Sequence, residues 1–162
     1  MESSPATYEM TLPFLPLRSG IVLPGRVTTI PVGRPRSQAL VGSLEAGRFV
    51  VIGVQRRAAQ ENPSAEDVHP MAVLAVVKEK IDRGERGKLL LIEAIERVEV
   101  ESLTQVDPYW LAKVRPALET GGGSAEAQAL MDSLRGHMRD LAPKSSGVQD
   151  VLAAGDSPGL FA

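Results

Sequence analysis

The chain has 162 residues, enough for one self-sufficient core, and its 43% hydrophobic content is that of an ordinary globular protein. Its 18 basic residues nearly balance 20 acidic ones, which argues against a dedicated nucleic-acid binder, and the lack of cysteine excludes disulfides and cysteine nucleophiles. The first residues lack a signal-peptide pattern and no apolar run is long enough to span a membrane, so we expect a cytoplasmic protein.

The first element is the stretch from Leu12 to Arg34, whose short apolar runs are interrupted by four prolines and three glycines. Proline cannot donate to an inner ladder and fixes φ, so these prolines belong at strand starts, edges or bends. The stretch therefore predicts a strand, a turn and a second strand, in a small bent barrel rather than a flat sheet.

A short helix is predicted next, beginning at Pro35 and ending near Gly47, which is a typical residue just past a helix C-terminus. The apolar, β-branched run from Arg48 to Gln55 then predicts a central strand, because it is too continuous to have one wet face. Ala58 to His69 is polar and acidic, which indicates a surface loop.

A hairpin follows, with strands over Met71–Asp82 and Lys88–Glu93 and a glycine-containing tip between them. The segment Ile95–Glu101 alternates apolar and charged residues, which is typical of a strand with one wet face. A last strand over Tyr109–Arg115 closes this part, giving about six strands with one inserted helix. The fold class is therefore α+β.

The run of glycines before Ser124 marks a linker, and the sequence predicts a barrel over 8–118, a linker over 119–123 and a helical subdomain over 124–162. Apolar residues recur at helical spacing from Ser124, a plausible N-cap, to Leu141, and Pro143 follows. A second capping box begins at Ser146, and a short apolar stripe follows it. The helix-start signal near the end predicts that the chain is the truncated front of a longer protein.

Several motifs together resemble the N-terminal domain of the ATP-dependent protease Lon. The first motifs of this resemblance are Leu15–Arg18, Leu23–Pro24, and Val32–Arg34 with Ser37, and the later ones are Val54–Arg56, Glu93–Val100 and Asp107–Val114. The resemblance implies a PUA-like β-barrel followed by helices, which binds protein substrates and forms homohexamers in the full-length enzyme. It also implies that the ATPase and the Ser-Lys protease lie in other domains.

No reactive constellation can be assembled from the residues. The segment Gly84–Lys88 lacks the glycine spacing of a phosphate-binding P-loop. Neither His69 nor His137 has other metal-ligating residues at the spacing that a metal site requires. We therefore expect no catalytic residue, cofactor or metal in this chain.

The early part of the chain has a local excess of arginine, at Arg34, Arg36, Arg48, Arg56 and Arg57. These side chains could dock acidic clients or RNA, or they could simply be solvated and paired with Glu61, Glu66 and Asp67.

The candidate binding site consists of apolar residues near bends, extended by Leu17 and Ile30, because exposed apolar surface often marks protein binding. Five side chains are expected to be exposed and to contact unfolded or damaged protein substrates: Leu17, Leu23, Pro24, Ile30 and Ile81. The sequence thus predicts a non-catalytic domain that captures unfolded or degron-bearing clients and helps subunit assembly. Two alternatives stay open, a stand-alone adaptor or regulator of the same fold and a PUA-like RNA-binding module.

Overall fold

The computed structural model describes residues 8–118 and 122–141. They form six strands, two α-helices and two short 3-10 turns. The elements in chain order are β1 (Met10–Leu17), β2 (Val27–Val32), α1 (Pro35–Ser43), β3 (Phe49–Val54), a 3-10 turn (Ala65–Asp67), β4 (Met71–Asp82), a second 3-10 turn (Gly84–Arg86), β5 (Lys88–Gln105), β6 (Leu111–Pro116) and α2 (Ala125–Leu141).

The six strands form one mixed sheet in the order β2-β5-β4-β3-β1-β6, and β6 also pairs with β5. Only β1 and β3 are parallel among the pairings of the described strands. The predicted six strands with one inserted helix are confirmed. The barrel closes unevenly, however, because β2 pairs with the first part of β5 and stays outside the ring that β6 completes.

β5 is the longest strand and the one that shapes the sheet. The sequence predicted two separate strands, Lys88–Glu93 and Ile95–Glu101, and that division is wrong, because the backbone stays extended through Ala94. Register shifts against β4 and β6 bend this strand, as β-bulges do. It therefore pairs with β2 along its first part and with β6 along its last.

The core lies on both faces of β3. Val50 and Ile52 belong to a cluster that also holds Leu40 of α1, whereas Val51 belongs to a second cluster around Trp110. Because successive strand residues point to opposite faces, burial of all three confirms the predicted central strand.

Helix α1 is shorter than predicted. It ends at Ser43, and Leu44 is already extended, with φ of -81° and ψ of 146°. The expected C-terminal glycine, Gly47, has φ of 84° and lies in the turn that leads into β3. The left-handed conformation that suits glycine is therefore used by this turn and not by the helix cap.

The chain divides into two compact units, with the boundary between Ala117 and Leu118. In the second unit, Ser124 Oγ accepts a hydrogen bond from the backbone N–H of Ala127 at 3.1 Å, which confirms the predicted N-cap of α2. The domain bounds 8–118, 119–123 and 124–162 stay a prediction. The second capping box at Ser146, the apolar stripe after it and the predicted truncation fall outside the described residues.

Gly53 of β3 provides a test of this packing. A Cβ there would overlap Cζ of Phe14, whose side chain is fully buried. We expect Gly53→Ala to lower the free energy of unfolding in urea by about 1–3 kcal/mol, as overpacking does. Gly42→Ala is the matched control, because a Cβ there meets open space in α1 and removing a helical glycine adds about 0.5–1 kcal/mol. Equal stabilities of the two variants would contradict the packing described here.

Candidate functional site

A groove of about 550 Å³ opens between β2 and the segment that ends β1, and we call it the β1–β2 groove. One wall is the outer part of β2, and the other is the end of β1 with the loop that follows it. The residues that line it are Leu15, Pro16, Leu17, Arg18, Ser19, Gly20, Ile21, Val22, Thr28, Thr29, Ile30, Pro31, Gly33, Arg34, Pro35, Ser37 and Glu61.

The groove collects some of the predicted site residues and excludes others. Leu17 is half-buried and lines it, whereas Leu23 and Pro24 are half-buried in the same loop without lining it. Ile81, also half-buried, lines a separate cavity of about 220 Å³ beside α1. The expected exposure of Ile30 is wrong, because its side chain faces the core and only 4% of its surface is exposed.

Two exposed apolar residues beside this groove were missed. Ile21 lines the groove and is 84% exposed, and Val27 at the start of β2 is 58% exposed. The available signal was the position of Ile21 directly after Gly20, which has a positive φ of 100° and turns the chain out of β1. An aliphatic residue placed straight after such a turn leaves the strand pattern that would bury it.

Arg34 ties the groove to the loop over residues 56–69. Its Nη2 donates to the carbonyl oxygen of Pro16, and its Nη1 donates to Oε1 of Gln55 and, at 3.5 Å, to the carbonyl oxygen of Glu61. Burial and the nearby Arg18 lower the pKa of Arg34, which Glu61 partly offsets. The guanidinium stays charged, because arginine is not deprotonated in proteins.

The arginines of this region have partners in the structure. The guanidinium carbons of Arg34 and Arg36 lie 5.8 Å and 5.5 Å from the ring centre of Trp110, and Arg36 also pairs with Asp107 at 3.5 Å. Arg18 pairs with the carboxylate of Glu61. Arg56 donates to the backbone carbonyl of Glu66 at 3.1 Å. These four side chains are therefore held by the protein itself.

The loop over residues 56–69 is closed by Asp67. Its carboxylate accepts hydrogen bonds of 2.7 Å from the backbone N–H and hydroxyl of Ser64 and from the amide of Gln60. These bonds, led by the backbone N–H of Ser64, lower the pKa of Asp67. Pro63 in the same loop accepts a hydrogen bond from the indole N–H of Trp110 at 3.2 Å. The loop thus covers the buried indole next to the groove.

The lining of the groove combines aliphatic side chains, hydroxyl groups and three charged residues. Arg18 pairs with Glu61, and Arg34 donates to Gln55 and to two backbone carbonyls. Within residues 8–118 and 122–141, no group of three or more His, Cys, Asp or Glu side chains could hold a metal ion. No helix in the described part of the chain is long and apolar enough to cross a membrane.

Comparison with known proteins gives a consistent result. Residues 11–156 match the family model of the ATP-dependent protease La (LON) substrate-binding domain. Lon protease 4 of Sorangium cellulosum is 36% identical over all of this chain, and a Lon protease of Koribacter versatilis is 31% identical over 88% of it. These matches cover 20% and 18% of the two relatives, so the chain spans about a fifth of their length.

Among solved structures, the N-terminal domain of the Mycobacterium avium complex Lon protease is similar, with a TM-score of 0.68. The similarity covers 93% of this chain and 79% of that one, at 15% sequence identity. At that identity the likeness establishes a shared fold and nothing finer.

Removal of the Asp67 carboxylate tests how the loop covers Trp110, which is the only tryptophan in the chain. We expect Asp67→Asn to raise acrylamide quenching of Trp110 fluorescence about twofold, because the loop opens locally when its hydrogen bonds weaken. Glu66→Gln is the control, since that neighbouring side chain is exposed and the bond to Arg56 uses its backbone oxygen. Unchanged quenching in Asp67→Asn would show that the loop does not depend on this carboxylate.

The same loop predicts a pH dependence. Because the folded pKa of Asp67 lies below its unfolded value, its contribution is complete above the ordinary Asp pKa of about 3.9. The contribution is lost as the pH falls through the folded pKa. We therefore expect quenching of wild-type Trp110 to rise on acidification and that of Asp67→Asn to rise less. Identical acid profiles for the two proteins would exclude Asp67 as the titrating group.

Proposed function

This chain belongs to the family of LON substrate-binding domains, and from that premise we propose that it captures unfolded segments of client proteins for a Lon-type protease. The domain itself acts without chemistry. In this proposal the ATPase and the protease occupy the parts of the full-length protein that correspond to the rest of its relatives. The chain then delivers clients to them.

The observation that carries the proposal is the exposed apolar rim of the β1–β2 groove. Ile21 is 84% exposed there, and the half-buried Leu17 and Val22 line the same groove. Such a rim is unfavourable in water, and an apolar client segment that covers it gains burial free energy. A native protein hides its apolar side chains, so this surface discriminates unfolded clients from folded ones.

We propose that clients contact Leu17 inside the groove and Leu23 and Pro24 on its loop, together with Ile21. Ile30 supports the groove from the core side and is left out of the contact set because it is buried. Ile81 lines a different cavity and forms at most a secondary contact.

Capture by one domain is weak in this proposal. Burying one aliphatic side chain contributes about 1.5–3 kcal/mol, and association costs offset much of that sum. We expect homohexameric assembly of the full-length protein, by analogy with the family, to compensate. Several domains that hold one client raise the effective affinity without new contacts. Weak single sites also let the client move on to the rest of the enzyme.

The alternative role in RNA binding is disfavoured by the arginine contacts. Arg34 and Arg36 face the ring of Trp110, and the indole is fully buried, so it offers no face for base stacking. Arg18 is occupied by Glu61. Arg18, Arg34 and Arg36 therefore stabilise the groove and its loop.

Replacing Ile21 tests the proposal with little risk to folding, because its side chain is almost fully exposed. We expect Ile21→Asp to weaken binding of fluorescein-labelled, reduced and carboxymethylated α-lactalbumin about tenfold, since one apolar contact of about 1.5 kcal/mol is lost. Fluorescence anisotropy measures the affinity.

Ile95→Asp is the matched control, because Ile95 is 44% exposed on β5 and does not line the groove. It should bind the unfolded probe like wild type, and native α-lactalbumin should not bind at all. An equal loss in both variants, or no loss in either, would contradict capture at the β1–β2 groove.

A further inference from the structure

The strand β2 has one paired edge and one open edge. It pairs antiparallel with β5 from Val27 opposite Glu93 to Val32 opposite Lys88. Within residues 8–118 and 122–141, no strand pairs with its other edge. An open edge presents unpaired backbone N–H and C=O groups, which are a template for another extended chain.

The register shows which groups the open edge presents. The backbone N–H of Ala94 donates to the carbonyl oxygen of Arg26, and the backbone N–H of Gly25 donates to the carbonyl oxygen of Ala94, each at 2.8 Å. Two residues thus oppose one, as in a β-bulge, and the carbonyl of Arg26 points toward β5. Because hydrogen-bonded pairs alternate along an antiparallel ladder, the backbone groups that point away from β5 are those of Val27, Thr29 and Pro31. Proline has no N–H, and its outward position is the one that an edge strand tolerates.

The β1–β2 groove lies beside these groups. Thr28, Thr29, Ile30 and Pro31 form one of its walls, and β5 takes up the opposite edge of β2. We propose that the open edge of β2 accepts an extended apolar segment of an unfolded client as an added strand. This inference rests on the proposed function and specifies how the same groove binds. The edge offers two donors, from Val27 and Thr29, and three acceptors, from Val27, Thr29 and Pro31.

The mode defines a class of client. Backbone hydrogen bonds recognise any extended chain, and the side chains of alternate client residues lie over the aliphatic part of the β1–β2 groove, at Leu17, Ile21 and Val22. The preferred segment is therefore about five residues long, apolar at every second position and free of proline where it must donate. Native proteins do not offer such a segment, because their strands are already paired.

A second copy of this chain is a poorer occupant of the edge. Antiparallel pairing of two β2 strands centred on Thr29 places Val27 of each copy opposite Pro31 of the other. Each Val27 carbonyl then lacks a donor, because proline has none. A client segment without proline avoids both losses, so the edge favours a foreign strand.

Backbone N-methylation of a peptide tests the proposal on the wild-type protein. The probe is the fluorescein-labelled peptide acetyl-Ser-Val-Thr-Val-Thr-Val-Ser-amide. Methylation of one alternating set of its amide nitrogens should weaken binding at least tenfold, because the hydrogen bonds to the three edge carbonyls are lost, whereas methylation of the other set should change it less than twofold. If the valine side chains face the groove, the amide nitrogens that point toward β2 belong to one set for a parallel strand and to the other set for an antiparallel strand. The set that is sensitive to methylation therefore shows the direction of the added strand.

A variant of β2 tests the same contact from the other side. Thr29→Pro removes one outward donor and leaves the ladder with β5 in place, and Thr29→Val keeps the donor and serves as control. We expect Thr29→Pro to weaken the peptide several-fold and Thr29→Val to bind like wild type. Circular dichroism and urea denaturation check that both variants fold. If Thr29→Pro does not fold, the methylated peptides alone test strand addition.

The outcomes separate the two proposals. If the peptide and carboxymethylated α-lactalbumin bind but neither methylated set matters, strand addition is wrong and capture by the groove survives. If neither probe binds, the proposed function fails and strand addition fails with it. If sedimentation shows a wild-type dimer that Thr29→Pro abolishes, the edge pairs with a second copy and the client proposal is overturned.

Discussion

The structure depends on the complete burial of one indole. Trp110 has no exposed surface, its N–H donates to the carbonyl of Pro63, and its own carbonyl accepts from the backbone N–H of Phe14. These contacts join β1, the loop over residues 56–69 and the residue just before β6, which are far apart in sequence. A buried indole N–H without a partner would cost about 1–3 kcal/mol, so the loop is required as well as the ring.

The same indole also positions the arginine side chains beside the β1–β2 groove. Arg34 and Arg36 lie over its ring, and Arg34 also reaches the end of β1 and Gln55. A guanidinium over an aromatic face is attracted by the ring quadrupole, which offsets part of the cost of burying charge. The same side chain that packs on the core therefore fixes the distance between the two walls of the groove. Ile21, at the rim of the groove, is by contrast exposed to solvent.

Local sequence patterns predicted the strands and helices well, but they predicted the tertiary contacts between these elements poorly. The continuous run of β3 and the glycines around the β4–β5 turn were enough to place a central strand and a hairpin. The burial of Ile30 was also readable, because Ile30 and Val32 share one face of β2, but Ile30 was assigned to the exposed surface around Leu23 and Pro24. Trp110 contacts residues 47 or more positions away in the sequence, and no local pattern predicts contacts of that kind. The exposure of Ile21 depends on the path of a loop, which periodicity does not describe.

Uneven closure of the sheet links the fold to its use. β5 is long enough to pair with β2 at one end and with β6 at the other, so the ring closes through β6. Among the strands that the structure describes, none pairs with the second edge of β2. Such an edge is a hazard for self-association, and Pro31 reduces that hazard by removing one donor. The remaining backbone groups would bind an extended chain whatever its side chains, which fits the proposed capture of many different clients. In that proposal the exposed Ile21 adds a preference for chains with exposed hydrophobic residues.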